Sequence, residues 1–159
     1  MRTIVVVAAA LAVLGCSDDV TNPATSFTAE LTGAKERPDP VSTTGSGSAT
    51  CMLEASDHIS CVITYSNLSG APTAAHIHLG NASATGGVVV HLCGGGGAGP
   101  APACPVTASG TITSGAQPVE AASTYSAVVA AMRTYGAYVN VHTAANPGGE
   151  IRSQLFGVY

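Results

Sequence analysis

Histidines are the residues of this sequence whose types and spacing favour chemistry. The chain has five of them, although charged side chains make up only 9% of its 159 residues, against about 25% in an ordinary soluble domain. His76 and His78 are two residues apart, so on a strand they project from one face. His142 occupies the polar face of a second candidate strand, together with Asn140. Imidazole clusters suit copper or zinc, so the pattern predicts a metal site at His76, His78 and His142, with His91 as a fourth ligand if its strand is in register.

Two other interpretations of these histidines stay open. In the first, they hold strands together by hydrogen bonds, with Asn140, Thr143 and Glu150 as available partners. In the second, they transfer protons in catalysis. Glu150 and Arg152, two apart on a strand, form either a weak surface pair or, with Asn140, the outer partners that orient a metal-binding histidine.

The strands that must position these residues follow from apolar and polar alternation, and from the Gly, Pro, Asn and Ser clusters between the runs. Eight candidates lie near residues 26–32, 44–54, 59–67, 73–79, 87–93, 105–113, 137–143 and 150–158. Pro147 and Gly148 suit the two central positions of a type II turn, with a positive φ at Gly148. The last two strands are therefore expected to form a hairpin.

One helix is predicted near residues 122–135, between the sixth and seventh strands. Ser123 or Thr124 caps its start, and Gly136 ends it. Its apolar stripe consists of Ala127, Val128, Ala131 and Met132. Short strands with one crossover helix indicate a mainly β chain, folded as a single antiparallel β-sandwich or flattened barrel of about eight strands.

Four of the five cysteines are predicted to form two disulfide bonds. Cys51 and Cys61 flank a turn, so they can face each other across a hairpin. Cys93 and Cys104 bracket a run of Gly, Ala and Pro that could not become ordered without a crosslink, and a disulfide bond there would limit its entropy. Two bridges suit an exported protein, which meets an oxidising environment. The alternative is a metal–thiolate cluster, but the sequence has no C-x-x-C spacing.

The beginning of the chain has the features of an export signal. Arg2 precedes an uncharged apolar run that is too short to span a membrane, which predicts a signal sequence over residues 1–15. The ending Leu14-Gly15-Cys16 resembles the lipobox of bacterial lipoproteins, which implies lipidation of Cys16. Ser17, rather than Asp, follows this cysteine, which favours the outer membrane of the cell envelope.

These segments divide the chain into three parts. Residues 1–15 are the signal, residues 16–25 are the lipidated cysteine with a flexible tether, and residues 26–159 are the folded domain. The expected partner is therefore a membrane, reached through the lipid anchor. Five Lys and Arg residues and a net charge of −4 argue against nucleic-acid binding, because too few cations are present to neutralise a row of phosphates. No motif identifies a protein partner.

Four sequence blocks resemble the CHRD domain, a family that is common in exported bacterial proteins. The blocks are Phe27–Pro38 (FTAELTGAKERP), Thr73–Gly80 (TAAHIHLG), Gly87–Val90 (GVVV) and Tyr138–Arg152 (YVNVHT followed by NPGGEIR). Their order and spacing agree from about residue 27 to 158, which implies a β-sandwich for nearly the whole domain. Arg37, Ser153 and the four added cysteines depart from the family's usual pattern. The resemblance implies little about activity.

A His-x-His strand and a Val-x-Val-His strand also resemble, locally, copper–zinc superoxide dismutase. The chain has no evident second set of His and Asp ligands for zinc, and its negative net charge does not steer an anion. The leading hypothesis is therefore a lipid-anchored binding module of the cell envelope, with copper as the favoured metal and zinc as its competitor, rather than an enzyme. A copper-dependent redox enzyme of the dismutase type and a metal-free protein-interaction domain are the alternatives.

Overall fold

The computed structural model describes residues 23–97, 99 and 101–159. The predicted signal sequence 1–15 and Cys16 lie outside the described residues, and so does the predicted tether as far as residue 22. The described residues form ten strands and one α-helix. The strands are β1 (Ser26–Thr32), β2 (Ser46–Glu54), β3 (His58–Ser66), β4 (Pro72–Leu79), β5 (Val88–Cys93), β6 (Gly110–Thr113), β7 (Gln117–Pro118), β8 (Ala137–Thr143), β9 (Ile151–Gln154) and β10 (Phe156–Val158). The helix α1 is Tyr125–Arg133.

All of these strands belong to one antiparallel sheet that nearly closes into a barrel. Eight of them lie in the order β5-β4-β8-β9-β1-β2-β3-β6, while β10 pairs with β1 and β7 pairs with β3. The two end strands of this path, β5 and β6, approach each other. The structure confirms the predicted mainly β chain, a flattened barrel with one helix.

Alternating side chains build the core inside the sheet, and β8 adds a second buried face. On β1, every other residue is buried and the residues between are exposed or half-buried. On β8, by contrast, all of the residues from Ala137 to Thr143 are buried. Val139 and Val141 belong to the apolar core, so the alternate residues of β8 must lie on the opposite face. These residues are Tyr138, Asn140 and His142.

Two of the predicted strands differ from those in the structure. The segment predicted over residues 105–113 is a strand only from Gly110 to Thr113. The preceding residues bend, since Thr107 Oγ1 donates to the carbonyl of Ser109 at 2.8 Å, a local bond that competes with strand pairing. The segment predicted over 150–158 is interrupted at Leu155, whose N–H donates to the carbonyl of Ala137 at 3.0 Å. The short strand β7 was not predicted.

The helix α1 lies within its predicted range and is capped as predicted by Thr124. Thr124 Oγ1 accepts a hydrogen bond from the N–H of Ala127 at 3.3 Å. In the predicted stripe, Val128 and Met132 are buried, whereas Ala127 is exposed and Val129 is buried instead. Among the residues that the structure describes, no helix has the length and apolar character that a membrane span requires.

Tyr135 follows α1 in the left-handed conformation, with a φ of 59°. Gly136 donates its N–H to the carbonyl of Ala131 at 2.8 Å, which closes the last turn of the helix. Gly136 thus ends the helix, as the sequence predicts, with the left-handed residue directly before it.

Both predicted disulfide bonds are confirmed. Cys51 and Cys61 are directly opposite each other on β2 and β3. Cys93, the last residue of β5, is bonded to Cys104 and closes the Gly-rich loop between them. The second bridge thus fixes the end of the strand that carries His91.

We expect the double variant Cys93→Ala, Cys104→Ala to lose about 2–3 kcal/mol of unfolding free energy, because the open chain regains loop entropy in its unfolded state. Urea unfolding under oxidising conditions measures the loss. Reduced wild-type protein serves as the control and should lose more, since both bridges open. A variant as stable as the oxidised wild type would contradict the prediction.

Candidate metal centre

Three of the four predicted metal ligands lie together. His76, His78 and His142 each offer one ring nitrogen, and these three nitrogens lie within 4.8 Å of one another. Nδ1 of His76 lies 3.2 Å from Nε2 of His142. We call these residues the histidine trio.

The pairing of β4 with β8 produces this arrangement. His78 is opposite Tyr138, and Ala74 is opposite His142, so all three histidines project from the same face of neighbouring strands. Ala75 and Ile77, which alternate with His76 and His78 on β4, are fully buried in the apolar core. The alternation read from the sequence therefore places the trio on one face.

Backbone carbonyl groups orient two of the three rings. Nδ1 of His78 lies 2.9 Å from the carbonyl oxygen of Gly86, and Nδ1 of His142 lies 3.0 Å from that of Pro147. Because a carbonyl oxygen only accepts hydrogen bonds, Nδ1 carries the proton in both rings and Nε2 carries a lone pair. Metal-binding histidines in proteins are commonly held in this way by their outer nitrogen.

The loop between β4 and β5 holds the carbonyl of Gly86 in place. The N–H of Gly86 donates to Tyr138 Oη at 3.1 Å, and the N–H of Leu79 donates to the carbonyl of Gly87 at 3.1 Å. A Cβ atom on Gly86 would lie 1.4 Å from the carbonyl oxygen of Leu79. Only glycine therefore allows this close approach of the two backbone segments.

The turn between β8 and β9 presents the carbonyl of Pro147. The N–H of Gly149 donates to the carbonyl of Asn146 at 3.1 Å, as expected for a turn over these residues. The positive φ is at Gly149 (129°), however, and not at Gly148 as predicted. Gly149 packs on Asn140, whose Nδ2 would lie 2.4 Å from a Cβ atom at this position.

Burial keeps the trio neutral. Desolvation, followed by repulsion from His142, lowers the pKa of His76 to about 3. Desolvation lowers the pKa of His78 to about 4 and also lowers the pKa of His142, although the bonds to Gly86 and Pro147 act in the opposite direction. The uncharged imidazole is the form that binds metal ions.

His91, the fourth predicted ligand, flanks the trio. It pairs with His76 across β4 and β5, and the centroids of the two rings are 4.6 Å apart. Its Nε2 lies 3.5 Å from a carboxylate oxygen of Glu120, and its Nδ1 is buried without a hydrogen-bond partner. The register condition for His91 is met, but its nitrogens do not join the group of three.

Arg152, Tyr138 and His78 form a stack. The ring of Tyr138 is stacked on that of His78, with centroids 4.9 Å apart and planes at 5°. The guanidinium carbon of Arg152 lies 3.5 Å from the centroid of Tyr138. Arg152 Nη2 also donates to the carbonyls of Asn81 and Ala84 at 2.8 Å, which ties the β4–β5 loop to β9.

The other two expected outer partners contact groups other than histidine. Asn140 Nδ2 donates to a carboxylate oxygen of Glu36 at 3.3 Å. Burial raises the pKa of Glu36 to about 7, although the positive charge of Arg152 acts against this. Glu36 was not predicted as a site residue. The one feature of the sequence that could have pointed to Glu36 is that it lies in the first block that resembles the CHRD domain.

Glu150 connects two loops with the end of β8 rather than orienting a histidine. Its carboxylate accepts hydrogen bonds from Thr43 Oγ1 (2.6 Å), Ser69 N (2.7 Å), Ser69 Oγ (2.5 Å) and Thr143 Oγ1 (2.7 Å). Burial alone raises the pKa of Glu150, but these hydrogen bonds outweigh it and lower the pKa to about 2. Glu150 and Arg152 are both buried, so the predicted surface pair does not form.

Buried polar atoms without a hydrogen-bond partner, among the described residues, are concentrated around the trio. They are Glu36 Oε1, His78 Nε2, His91 Nδ1, Asn140 Oδ1 and Arg152 Nη1. Such atoms are rare in folded proteins and call for an explanation. His78 Nε2 carries the lone pair of its ring, so a cation bound to this nitrogen would satisfy it.

Comparison with known proteins identifies one family. The model of the CHRD domain matches residues 27–155 of the chain. Neither the curated proteins nor the solved structures contain a match. The matched residues include the trio, His91, Glu36 and Arg152.

We expect the stability of the metal-free protein to fall as the pH drops from 6.5 toward 4. In this window an unfolded histidine takes up a proton, whereas the buried His78 does not until its lower pKa is reached, so protons favour the unfolded state. Urea unfolding across the pH range measures the change. In His78→Asn, whose amide nitrogen can donate to Gly86 in place of Nδ1, the fall should be smaller.

Glu36 has the opposite effect in wild type and variant alike. Its raised pKa adds stability at acidic pH that is lost as the pH rises from 4.5 through 7. Because both proteins contain Glu36, its contribution cancels in the difference between their profiles. Parallel profiles for the wild type and His78→Asn would contradict the prediction.

Proposed function

The chain belongs to the CHRD domain family, and we propose that its barrel-like domain is a module that binds one transition-metal ion through His76, His78 and His142. The orientation of the rings supports this proposal. Two of them donate Nδ1–H to backbone carbonyls, which leaves the lone pair on Nε2, and all three have lowered pKa values. In the metal-free protein Nε2 of His142 accepts a hydrogen bond from Nδ1 of His76, and a bound cation would replace that bond.

The donor set favours divalent copper, with zinc as the competitor. All three donors are imidazole nitrogens, and the described cysteines are held in disulfide bonds. Nitrogen ligands suit copper(II) and zinc, and copper(II) binds more tightly to a given set of such ligands. Three protein ligands leave a coordination position open for water or another molecule.

Titration of the full chain, without a His tag, tests this proposal. We expect one Cu²⁺ ion to bind per chain with a Kd below about 1 μM, with nitrogen couplings in the electron paramagnetic resonance spectrum. The double variant His76→Ala, His78→Ala should lose this binding. Calorimetry with Zn²⁺ under the same conditions should give weaker binding than with Cu²⁺.

Two single variants serve as controls. His58 lies away from the trio, with Nδ1 2.6 Å from the carbonyl of Ser56, so His58→Ala should bind copper as the wild type does. His91→Ala should weaken binding less than removal of a trio member. Unchanged binding in the double variant would overturn the proposal and leave the histidines as a hydrogen-bond network in a metal-free domain.

The copper-loaded protein also separates a binding module from a redox enzyme of the superoxide dismutase type. For a module, we expect no superoxide dismutation once free copper has been chelated. A rate that survives chelation and disappears in the double variant would replace the binding module with an enzyme.

We further propose that the domain is exported and anchored in the bacterial cell envelope, in the outer membrane, by a lipid on Cys16. The support comes from the apolar run that ends at Leu14-Gly15-Cys16. Residues 16–23 would link the anchor to the barrel, over a reach of at most about 28 Å, because the next residue, Ala24, is buried in the core.

We expect Cys16→Ser to move the protein from the membrane fraction to the soluble fraction, because one acylated cysteine carries the whole anchor. Ser17→Ala keeps the cysteine and should stay in the membrane fraction. Mass spectrometry of the wild type should find the lipid at the N-terminus of the processed chain. An unmodified Cys16 within that chain would refute the anchor.

A further inference from the structure

Most of the positive charge of the chain converges on one cavity. The chain has five Lys and Arg residues, and three of them, Lys35, Arg37 and Arg152, line a cavity of about 170 Å³. The remaining lining residues are Ala82, Ser153, Gln154 and Phe156, so no acidic side chain lies in the wall. In a protein of net charge −4, this concentration of cations marks the cavity as a place for an anion.

Hydrogen bonds hold the cationic side chains at the cavity. Lys35 Nζ donates to the carbonyl of Glu30 and, at 3.0 Å, to Ser153 Oγ. Arg37 Nη1 donates to the carbonyl of Glu36 at 2.6 Å. The groups are therefore positioned before a ligand binds, which reduces the entropy lost on binding.

Arg152 supplies the buried member of the set. It is 1% exposed, its Nη2 is held by the β4–β5 loop, and its Nη1 has no hydrogen-bond partner. Glu36 interacts electrostatically with Arg152 but does not line the cavity, and burial raises the pKa of its carboxyl group to about 7. The positive charge of Arg152 is thus only partly compensated.

Phe156 gives the same cavity an apolar side. Its side chain is 47% exposed, and its ring lies 5.1 Å from that of Tyr135. We propose that the cavity binds a small organic carboxylate, with the carboxylate group on Lys35, Arg37 and Arg152 and the apolar part against Phe156. Arginine pairs with carboxylates through two parallel hydrogen bonds, which suits this division of roles.

Benzoate is the probe, benzamide its uncharged analogue, and inorganic phosphate the anion without an apolar part. The full chain is stripped of metal and dialysed free of chelator, so that the outcome does not depend on the histidine trio. We expect benzoate to shift the backbone amide resonances of Ala82, Ser153 and Gln154 saturably in nuclear magnetic resonance spectra. Benzamide and phosphate should bind at least about tenfold more weakly, since each lacks one of the two recognised groups.

The double variant Lys35→Gln, Arg37→Gln changes two side chains at the surface, and it should weaken benzoate binding at least about tenfold. Arg133→Gln is the matched control, because Arg133 is the other described cation and lies outside the cavity wall. Equal binding of benzoate and benzamide, or wild-type affinity in the double variant, would overturn the proposal. So would phosphate binding as tight as that of benzoate, or the absence of a saturable shift.

Discussion

The strand β8 is buried along both faces, and the surroundings of the histidines depend on this constraint. An unpaired polar group inside a protein costs free energy, so the polar face of β8 must find its partners within the chain. Tyr138 Oη accepts from the N–H of Gly86, Asn140 Nδ2 donates to Glu36, and His142 Nδ1 donates to the carbonyl of Pro147, whereas Oδ1 of Asn140 has no partner. Each partner belongs to a loop, so one strand fixes three loops.

The histidines also depend on the loops, because the loop carbonyl groups determine which ring nitrogen is available to bind a metal ion. A ring whose Nδ1 donates to a carbonyl has only Nε2 left as a donor of electrons. For His78 that carbonyl belongs to Gly86, and the loop around it is tied down by Arg152 on β9. The chemistry of the trio is therefore set by backbone atoms at some distance along the chain.

The part of the site that follows from side-chain alternation could be predicted from the sequence. His76 and His78 share a face of any strand that contains both, and Cys51 and Cys61 flank a predicted turn, so they can face each other across a hairpin. Glu36 and the two carbonyl groups could not be predicted in this way, because their positions depend on loop conformations that distant residues determine. The position of the left-handed glycine shows the same limit: local turn preferences favour Gly148, but the positive φ is at Gly149, where Asn140 leaves no room for a side chain.

The stack of Arg152, Tyr138 and His78 has an optical consequence. The chain contains no tryptophan, so its near-ultraviolet emission comes from its five tyrosines. Only Tyr138 among the described tyrosines lies face to face with a member of the trio, with its ring 4.9 Å from that of His78. A paramagnetic ion bound to the trio would lie next to His78, close enough to Tyr138 to quench the emission of its ring. The tyrosine fluorescence of the unlabelled protein would therefore report whether the trio has bound such an ion.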